Sequence, residues 1–219
     1  MAPPEYFRRD RDDMRGFLPD RPHRVLEIGC GEGNFIAAIP GECEKWGIEP
    51  GETAAHAAAT RLDRVLTGRF DAVSDQLPKA YFDLVICNDV IEHMEDHDGF
   101  LRAIRDYIHE GGVLVGCVPN MRNYKVLYEL LILKDWQYRD SGILDRTHLR
   151  FFTERSLRRG LTGAGFRIDA LRGMNGSLSP GRTKHAWPRF LLACAAIGLT
   201  LGGARDIRHV QFGFRATAM

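Results

Sequence analysis

The sequence contains little that is typical of a secreted or polyanion-binding protein. Its cysteines number only five, at positions 30, 43, 87, 117 and 194, with no C-x-x-C pair and without the spacing of a disulfide framework. The formal net charge is +1, which gives no reason to expect nucleic acid as a partner. We therefore expect a cytoplasmic chain whose cysteines are reduced thiols.

Long apolar runs are also scarce. The amino end, MAPPEYFRRDRDDMRGF, is charged and lacks the apolar core of a signal peptide. The uncharged run from Phe190 to Ala204 is shorter than the roughly twenty residues of a membrane span, and glycines interrupt it. We interpret this run as a buried or interface helix, with peripheral membrane contact as the alternative. No membrane span is expected.

Strand and helix patterns alternate along the chain, which predicts an α/β fold with a parallel sheet covered by helices on both faces. The predicted strands lie near 24–28, 44–48, 64–67, 82–87, 112–118, 166–171 and 208–216. The predicted helices lie near 33–39, 51–61, 98–109, 121–134, 154–163 and 187–200. Thr153 is the expected cap of the fifth helix, and Gly163 and Gly165 suit its end. Without repeats or linkers, residues 1–219 are expected to form one domain.

A glycine-rich loop is the most informative feature. In RVLEIGCGEGNF, at 24–35, a short apolar strand meets Gly29, Gly31 and Gly33. Such a strand, loop and helix leaves bare backbone against which a ligand can lie. The pattern differs from the G-x-G-x-x-G of dinucleotide-binding oxidoreductases, since Asn34 stands where the last glycine should be. Glu27 is a poor neighbour for a pyrophosphate but suits a cofactor with ammonium and sulfonium groups.

The following segments make this interpretation specific. About twenty residues later, the apolar strand Trp46–Ile48 ends in Glu49, an acid suited to gripping two ribose hydroxyls. FDLVICNDVIEH at 82–93 and GGVLV at 111–115 come next. In this order and spacing, residues 20–170 resemble the class I S-adenosylmethionine-dependent methyltransferases. The resemblance implies S-adenosyl-L-methionine as cofactor and a Rossmann-like, seven-stranded sheet, mostly parallel, with the last strand antiparallel.

Several residues are predicted to hold that cofactor. Asn88, or Asp89 beside it, follows the fourth strand and is placed to line the pocket. Asp71 resembles the family acid that meets the adenine amino group, although GRFD at 68–71 departs from the usual Gly-Asp order. The full predicted set is Glu27, Gly29, Cys30, Gly31, Gly33, Glu49, Pro50, Asp71, Asn88 and Asp89.

A narrower resemblance covers VPNMRNY at 118–124, WQY at 136–138 and GILDRTHLRFFT at 142–153. These segments are similar to a bacterial group of small methyltransferases that often accompany glycan, lipopolysaccharide or secondary-metabolite biosynthesis. The Thr147-His148 pair also resembles the Thr-His pair of ubiquinone-pathway O-methyltransferases.

Residues 119–150 exceed a standard connection and are expected to form a lid that covers the substrate. The predicted lid helix has a wide apolar face, which would pack on the domain or form a dimer contact. That face comprises Tyr124, Leu127, Tyr128 and Leu131, widened by Val126, Leu130 and Leu133.

His148 is the candidate general base, because a histidine titrates near neutral pH. If 147–152 is extended, His148, Arg150 and Phe152 share one side and face the pocket. Arg150, or Arg146, could then hold an acidic or phosphorylated acceptor. The alternative is a structural histidine that anchors the lid.

His93 competes for the role of base. His93 and His97 stand four apart among acidic residues, a spacing that on a helix could bind zinc or magnesium. The family pattern and Gly99 favour the acid-rich start of a helix instead, so no metal is expected.

The predicted function is O-methylation of a small molecule or sugar or glycan precursor, with a homodimer as a candidate state. The alternatives are an N-methyltransferase acting on a small amine and a non-catalytic or partner-dependent cofactor-binding subunit.

Overall fold

The computed structural model describes residues 11–176, 186–200 and 202–219. Its strands are β1 (Arg24–Ile28), β2 (Glu44–Glu49), β3 (Arg64–Thr67), β4 (Phe82–Asn88), β5 (Ile108–Pro119), β6 (Phe166–Met174) and β7 (Gln211–Ala218). Its α-helices are α1 (Asn34–Ala37), α2 (Glu52–Ala58), α3 (Phe70–Val73), α4 (His97–Arg105), α5 (Tyr124–Tyr128), α6 (Glu154–Gly163) and α7 (Ala186–Leu199). A π-helical turn, Glu129–Leu133, continues α5, and a 3-10 helix, Asp12–Phe17, precedes β1.

The strands form one sheet in the order β3-β2-β1-β4-β5-β7-β6. The first five strands pair in parallel, whereas β7 runs antiparallel to both β5 and β6. The predicted α/β fold and its antiparallel last strand are therefore confirmed. Some predicted boundaries are wrong: α4 ends at Arg105 and β5 already begins at Ile108, α2 ends at Ala58, and β7 begins at Gln211.

The centre of the sheet is buried on both faces. Along β4, Leu84 and Ile86 point into one apolar cluster, while Val85 and Cys87 point into the other. Residues of α4 and α6 complete the cluster around Val85, and residues of α1, α2 and the first 3-10 helix complete the cluster around Leu84. Helices thus cover both faces, as predicted.

Gly116 on β5 is required by close packing. A Cβ atom there would lie 2.5 Å from the Cys87 carbonyl oxygen and 2.9 Å from Cζ of Phe214. We expect Gly116→Ala to lower the free energy of unfolding by about 2 kcal/mol, because backbone and a core ring would have to move. Urea denaturation measures this, with Gly163→Ala as the control.

Gly163 ends α6 and has open space where a Cβ would lie. Its replacement should leave the unfolding free energy unchanged or raise it slightly. Equal effects at Gly116 and Gly163 would contradict the packing argument.

The ends of α6 follow their sequence signals. The Thr153 hydroxyl accepts a hydrogen bond from Ser156 N at 3.2 Å, and the Ser156 hydroxyl accepts one from Thr153 N at 3.0 Å. This reciprocal pair is a capping box. Gly165 follows the helix with φ +86°. The predicted cap and exit are both confirmed.

The helix predicted over 121–134 is only partly correct. It begins at Tyr124, and its regular α-helical part ends at Tyr128. The π turn changes the angular spacing of the side chains, so the predicted apolar face does not continue past Tyr128. Tyr124, Val126 and Tyr128 are buried, whereas Leu130, Leu131 and Leu133 are exposed.

The PNMRN motif at 119–123 forms hydrogen bonds that join the connection between β5 and α6 to residues 206–209, just before β7. The Asn120 side-chain amide donates to the Asp206 and His209 carbonyl oxygens at 2.9 and 3.0 Å. The Asn123 amide donates to the same His209 oxygen at 3.0 Å, and Arg122 forms an ion pair with Asp206 at 2.6 Å. These three side chains of the motif therefore have a structural role, since they join the two segments.

Helix α7 is buried on one side only. Ala193 packs with Tyr124, Ala204 and Ile207, whereas Trp187, Leu191 and Leu199 are exposed. Among the described residues, no helix is long and apolar enough to cross a membrane. Residues 1–10 of the amino end and Leu201 of the apolar run lie outside the described residues.

Candidate functional site

The loop after β1 has the backbone geometry that its glycines predict. Gly29, Gly31 and Gly33 have φ values of +72°, +55° and +79°, a region that residues with a Cβ rarely adopt. A Cβ on Gly29 would also lie 2.8 Å from Cγ2 of Val90. The loop is tied to β2, because the Gly29 and Cys30 amides both donate to the Ile48 carbonyl oxygen, at 2.8 and 3.1 Å.

Glu49 lies at the end of β2 with its carboxylate against this loop. One oxygen accepts a hydrogen bond from Gly31 N at 2.9 Å, and the other accepts one from Gly51 N at 2.8 Å. The residue is buried, and burial raises the pKa of its carboxyl, while the two hydrogen bonds oppose that rise. Each oxygen keeps a lone pair with which it could accept a hydroxyl. Pro50, the next residue, is exposed.

Glu27 and Asn88 carry buried polar atoms that the described residues do not satisfy. In that part of the chain, Glu27 Oε2 and both polar side-chain atoms of Asn88 have no hydrogen-bond partner. Burial raises the pKa of Glu27 to about 8, a shift that the Ile36 backbone, the Arg11 guanidinium and the neighbouring Asn88 side chain oppose. Orphaned buried groups of this kind are expected where a polar ligand binds.

Asp89 takes part in an ion pair that sequence analysis missed. Its carboxylate contacts the Arg11 guanidinium and accepts a hydrogen bond from Gln211 Nε2 at 2.6 Å. Arg11 also donates to Cys117 Sγ at 2.7 Å. Asp89 has φ +54°, unusual for a residue with a side chain. No sequence signal distinguishes Arg11 from the other arginines of the amino end.

Two further predicted cofactor residues differ in their surroundings. Cys30 is buried behind the loop, and its Sγ lies 2.6 Å from where a Cβ on Gly47 would stand. Burial raises the pKa of this thiol, which keeps it protonated. Asp71 is exposed in the first turn of α3, a helix that was not predicted, and forms an ion pair with Arg69 at 3.2 Å.

Glu92, His93 and His148 form a second group of side chains. The two imidazole rings meet edge to face, with centroids 5.0 Å apart. His148 Nε2 lies 3.9 Å from Glu92 Oε1, and the His148 and Glu92 side chains are 8 % and 0 % exposed. Burial raises the pKa of Glu92 well above its ordinary value and lowers that of His93. This group includes both candidate bases.

A turn at Asp145 places His148 beside Glu92 and His93. Asp145 Oδ1 accepts hydrogen bonds from Thr147 N at 2.8 Å and from the Thr147 hydroxyl at 2.7 Å, and His148 N donates to the Asp145 carbonyl oxygen at 3.0 Å. The Leu149 and Arg150 amides both donate to the Glu92 carbonyl oxygen, at 2.8 and 2.9 Å. The segment is therefore pinned beside the residues that follow β4.

The predicted extended conformation of 147–152 is wrong at its start, because the Asp145 turn replaces the strand. Strand alternation therefore does not set the direction of the His148 and Arg150 side chains. Arg150 is exposed, and its guanidinium donates to the carbonyl oxygens of Leu149 and Glu95.

His93 and His97 do not share a helix. A 3-10 turn ends at His93, and α4 begins at His97. Asp96 caps α4 by accepting a hydrogen bond from Gly99 N at 2.8 Å, so Gly99 lies within the helix. The His97 ring packs against Phe152, with centroids 5.3 Å apart.

Comparison with known proteins identifies the family and supports the fold. A family model described as a methyltransferase domain matches residues 4–171. The chain belongs to this methyltransferase-domain family. The cofactor of this domain is S-adenosyl-L-methionine, as the resemblance implied.

Three similar proteins illustrate the relationship. A probable S-adenosylmethionine-dependent methyltransferase of Mycobacterium tuberculosis is 31% identical over 119 residues, 52% of this chain and 43% of that protein. A ubiquinone biosynthesis O-methyltransferase of Azorhizobium caulinodans is 26% identical over 172 residues, 74% of this chain and 66% of that protein. A Thermotoga maritima structure, described as a SAM-dependent methyltransferase and possible histamine N-methyltransferase, superposes with a TM-score of 0.63.

The extent of these matches differs. The Thermotoga structure is 20% identical, and the match covers 98% of this methyltransferase chain and 89% of that one, which shows a shared fold. The chain spans about two fifths of the length of the first curated relatives that it matches.

Proposed function

We propose that this chain transfers the methyl group of S-adenosyl-L-methionine to a hydroxyl oxygen of a small molecule or a sugar or glycan precursor. The observation that carries the proposal is the group Glu92, His93 and His148, whose first two members follow the carboxyl end of β4, the strand that pairs in parallel with β1 before the glycine loop. A Cβ on Gly29 would lie 2.8 Å from Cγ2 of Val90, and Val90 is two residues from Glu92. A hydroxyl needs help to lose its proton, and two imidazoles beside the buried Glu92 side chain could supply it.

The residues that would hold the cofactor are those around the glycine loop. Glu49 would accept hydrogen bonds from two ribose hydroxyls, and Glu27 would face a positively charged group. The orphaned Asn88 amide and the bare backbone of the loop fit the polar amino-acid part of the cofactor. When bound, the cofactor supplies an electrophilic methyl group on sulfur. We keep Cys30, Pro50, Asp71 and Asp89 as proposed lining residues of the same site.

The activating residue in this proposal is His148. Its Nδ1 lies 3.0 Å from the Ile143 carbonyl oxygen, an acceptor, so Nδ1 carries the proton and Nε2 keeps its lone pair. Nε2 could therefore accept the acceptor proton, and Glu92, whose Oε1 lies 3.9 Å away, would stabilise the imidazolium when Glu92 is ionised. His93 is the second base candidate at this place, and Arg150 remains a candidate for binding an acidic acceptor at its edge.

Two further features support a small acceptor. Residues 119–150 approach the site through the Asp145 turn and are proposed to act as its lid, within a single domain. The Azorhizobium relative is named for O-methylation in ubiquinone biosynthesis, which favours oxygen over nitrogen. The similarity to a bacterial glycan-associated group remains part of the proposal, as does a homodimer through the exposed leucines of the lid.

The proposal is tested with methyl-tritiated cofactor and a panel of phenols, sugars, carboxylates and amines. We expect label to pass to a hydroxyl-bearing acceptor and not to the same compound with that hydroxyl blocked. Transfer to amines alone would replace the proposal by N-methylation. Cofactor binding without transfer to any compound would favour a partner-dependent subunit.

The pKa of Glu27 gives a pH-dependent prediction. Because the folded chain keeps a proton on Glu27 up to about pH 8 and the unfolded chain releases it near pH 4.5, this group makes stability fall as pH rises between those values. Glu27→Gln removes that dependence. We expect the free energy of unfolding of Glu27→Gln, minus that of the parent chain, to rise with pH between the unfolded and folded pKa values of Glu27. The rise should be up to about 1.4 kcal/mol per pH unit.

Thermal or urea unfolding of the cofactor-free protein at several pH values measures this difference. Glu52→Gln, at an exposed position in the first turn of α2, is the matched control. A constant difference between Glu27→Gln and the parent chain from pH 5 to pH 8 would show that Glu27 is ionised throughout.

A further inference from the structure

Glu92 and His93, which are consecutive in the sequence, lie close to a third side chain, that of His148. One ligand atom from each of Glu92, His93 and His148 lies within 4.8 Å of the other two. Two imidazoles and a carboxylate are a set of ligands that first-row divalent transition metals prefer. Of His93 and His97, whose spacing could bind a metal on a helix although the sequence favours no metal there, only His93 belongs to this group. His148 comes from a segment more than fifty residues later in the sequence.

The histidines are already oriented by hydrogen bonds to the backbone. His148 Nδ1 lies 3.0 Å from the Ile143 carbonyl oxygen, and His93 Nδ1 lies 3.0 Å from the Thr147 carbonyl oxygen. Both carbonyls are acceptors, so each Nδ1 carries the proton and each Nε2 offers a lone pair. Histidines that bind metals are commonly held in this way, with the second ring nitrogen donating to a backbone carbonyl.

The carboxylate lacks any such partner. Glu92 is 0 % exposed, and among the described residues neither of its oxygens has a hydrogen-bond partner. Its contact with His148 Nε2, at 3.9 Å, is too long for a hydrogen bond. A buried carboxylate without a partner is costly, and a cation between it and the two imidazoles would remove that cost.

We propose that Glu92, His93 and His148 bind one divalent transition-metal ion, such as Zn²⁺ or Mn²⁺, with coordination positions left for an acceptor hydroxyl. Ligands of a tetrahedral zinc ion lie roughly 3.3 Å apart, given bonds of 2.0–2.1 Å. The separation of 3.9 Å between Glu92 Oε1 and His148 Nε2 therefore needs only small side-chain rotations. Three protein ligands leave room for an exchangeable one, as in catalytic rather than structural sites.

This inference deepens the proposed function and rests on it for the identity of the acceptor. With an ion bound, the Nε2 lone pair of His148 is occupied, so His148 binds the metal instead of accepting the proton. A bound ion would supply a Lewis acid that lowers the pKa of an acceptor hydroxyl, and the proton would then leave to water. Metal binding itself does not depend on methyl transfer and can be measured without an acceptor.

The experiment is a titration of the chelator-treated 219-residue chain with Co²⁺, followed by visible absorption, and with Zn²⁺ in competition. We expect one ion per chain. Glu92→Gln and His148→Gln should weaken binding at least about tenfold, since even the outer partners of metal ligands cost that much. His97→Gln is the matched control, because His97 is near in sequence but outside the group, and it should bind the ion as the parent chain does.

A second readout guards against misfolded variants. Zn²⁺ should raise the melting temperature of the parent chain and of His97→Gln but not that of Glu92→Gln. Equal affinity of the parent chain and Glu92→Gln, or loss of binding in His97→Gln, would overturn the metal site. Full methyl transfer by chelator-treated protein would overturn the activating role of the ion.

The results that would contradict the proposed function differ from those that would contradict the metal site. Binding of S-adenosylhomocysteine to the metal-free chain depends on the glycine loop and Glu49 and tests the cofactor site alone. A chain that binds Co²⁺ as described but transfers no methyl group to oxygen would retain the metal site and lose the proposed function.

Discussion

Glu49→Ala is expected to weaken the binding of S-adenosylhomocysteine by roughly a hundredfold or more. The carboxylate would accept hydrogen bonds from two ribose hydroxyls, and hydrogen bonds to charged groups contribute about 1.5–3 kcal/mol each. Removal of the side chain also leaves the Gly31 and Gly51 amides without their present acceptor. Calorimetric titration of the parent chain and the variant measures the change.

Two companion variants define the origin of this loss. Glu49→Gln keeps the size of the side chain but places an NH₂ group against one of the two backbone amides, so we expect it to bind nearly as poorly as Glu49→Ala. Glu52→Ala removes an exposed acid three residues later and should bind as the parent chain does. Unchanged binding by Glu49→Ala, with folding verified by circular dichroism, would remove Glu49 from the cofactor site.

His148→Ala is expected to lower turnover by about 10²–10⁴-fold, the usual effect of losing an acid or base group. Its affinity for S-adenosylhomocysteine should stay within about twofold of the parent value. The contacts of the imidazole are with Ile143 and Glu92, and the predicted cofactor residues lie around the glycine loop. Single-turnover assays with an acceptor from the panel above, together with calorimetry, separate these quantities.

The variant His56→Ala is the control for this measurement, since His56 is exposed on α2. A general base and a metal ligand both predict the loss at His148, and the Co²⁺ titration distinguishes between them. A purely anchoring histidine predicts a lower melting temperature with little loss of turnover per folded molecule. Such a result would exclude His148 from the chemistry.

The sequence predicts the central sheet well because its signals are local. The strand up to Ile28, the three glycines and the acid at Glu49 each follow from short patterns whose spacing fixes the fold. The capping box at Thr153 is equally local. These features need no knowledge of what packs against them.

Residues that act across long distances in sequence escape such patterns. Arg11 pairs with Asp89 across a separation of 78 residues, and nothing near Arg11 in the chain indicates this. Glu92 and His148 likewise come together because of the turn at Asp145. There the Asp145 carboxylate accepts hydrogen bonds from Thr147, whereas in a strand the Thr147 amide could pair with a neighbouring strand. The Asp-x-Thr spacing is the signal from which this turn could have been found.

The position of β7 between β5 and β6 has a consequence for synthesis on the ribosome. Among the described strands, β6 pairs with β7 alone, yet β6 ends at Met174 and β7 begins only at Gln211. During translation, the backbone N–H and C=O groups of β6 therefore stay without their β7 partners until β7 has been synthesised and has left the ribosome. In that interval the nascent chain presents an open strand edge, a state prone to aggregation and a natural client for chaperones.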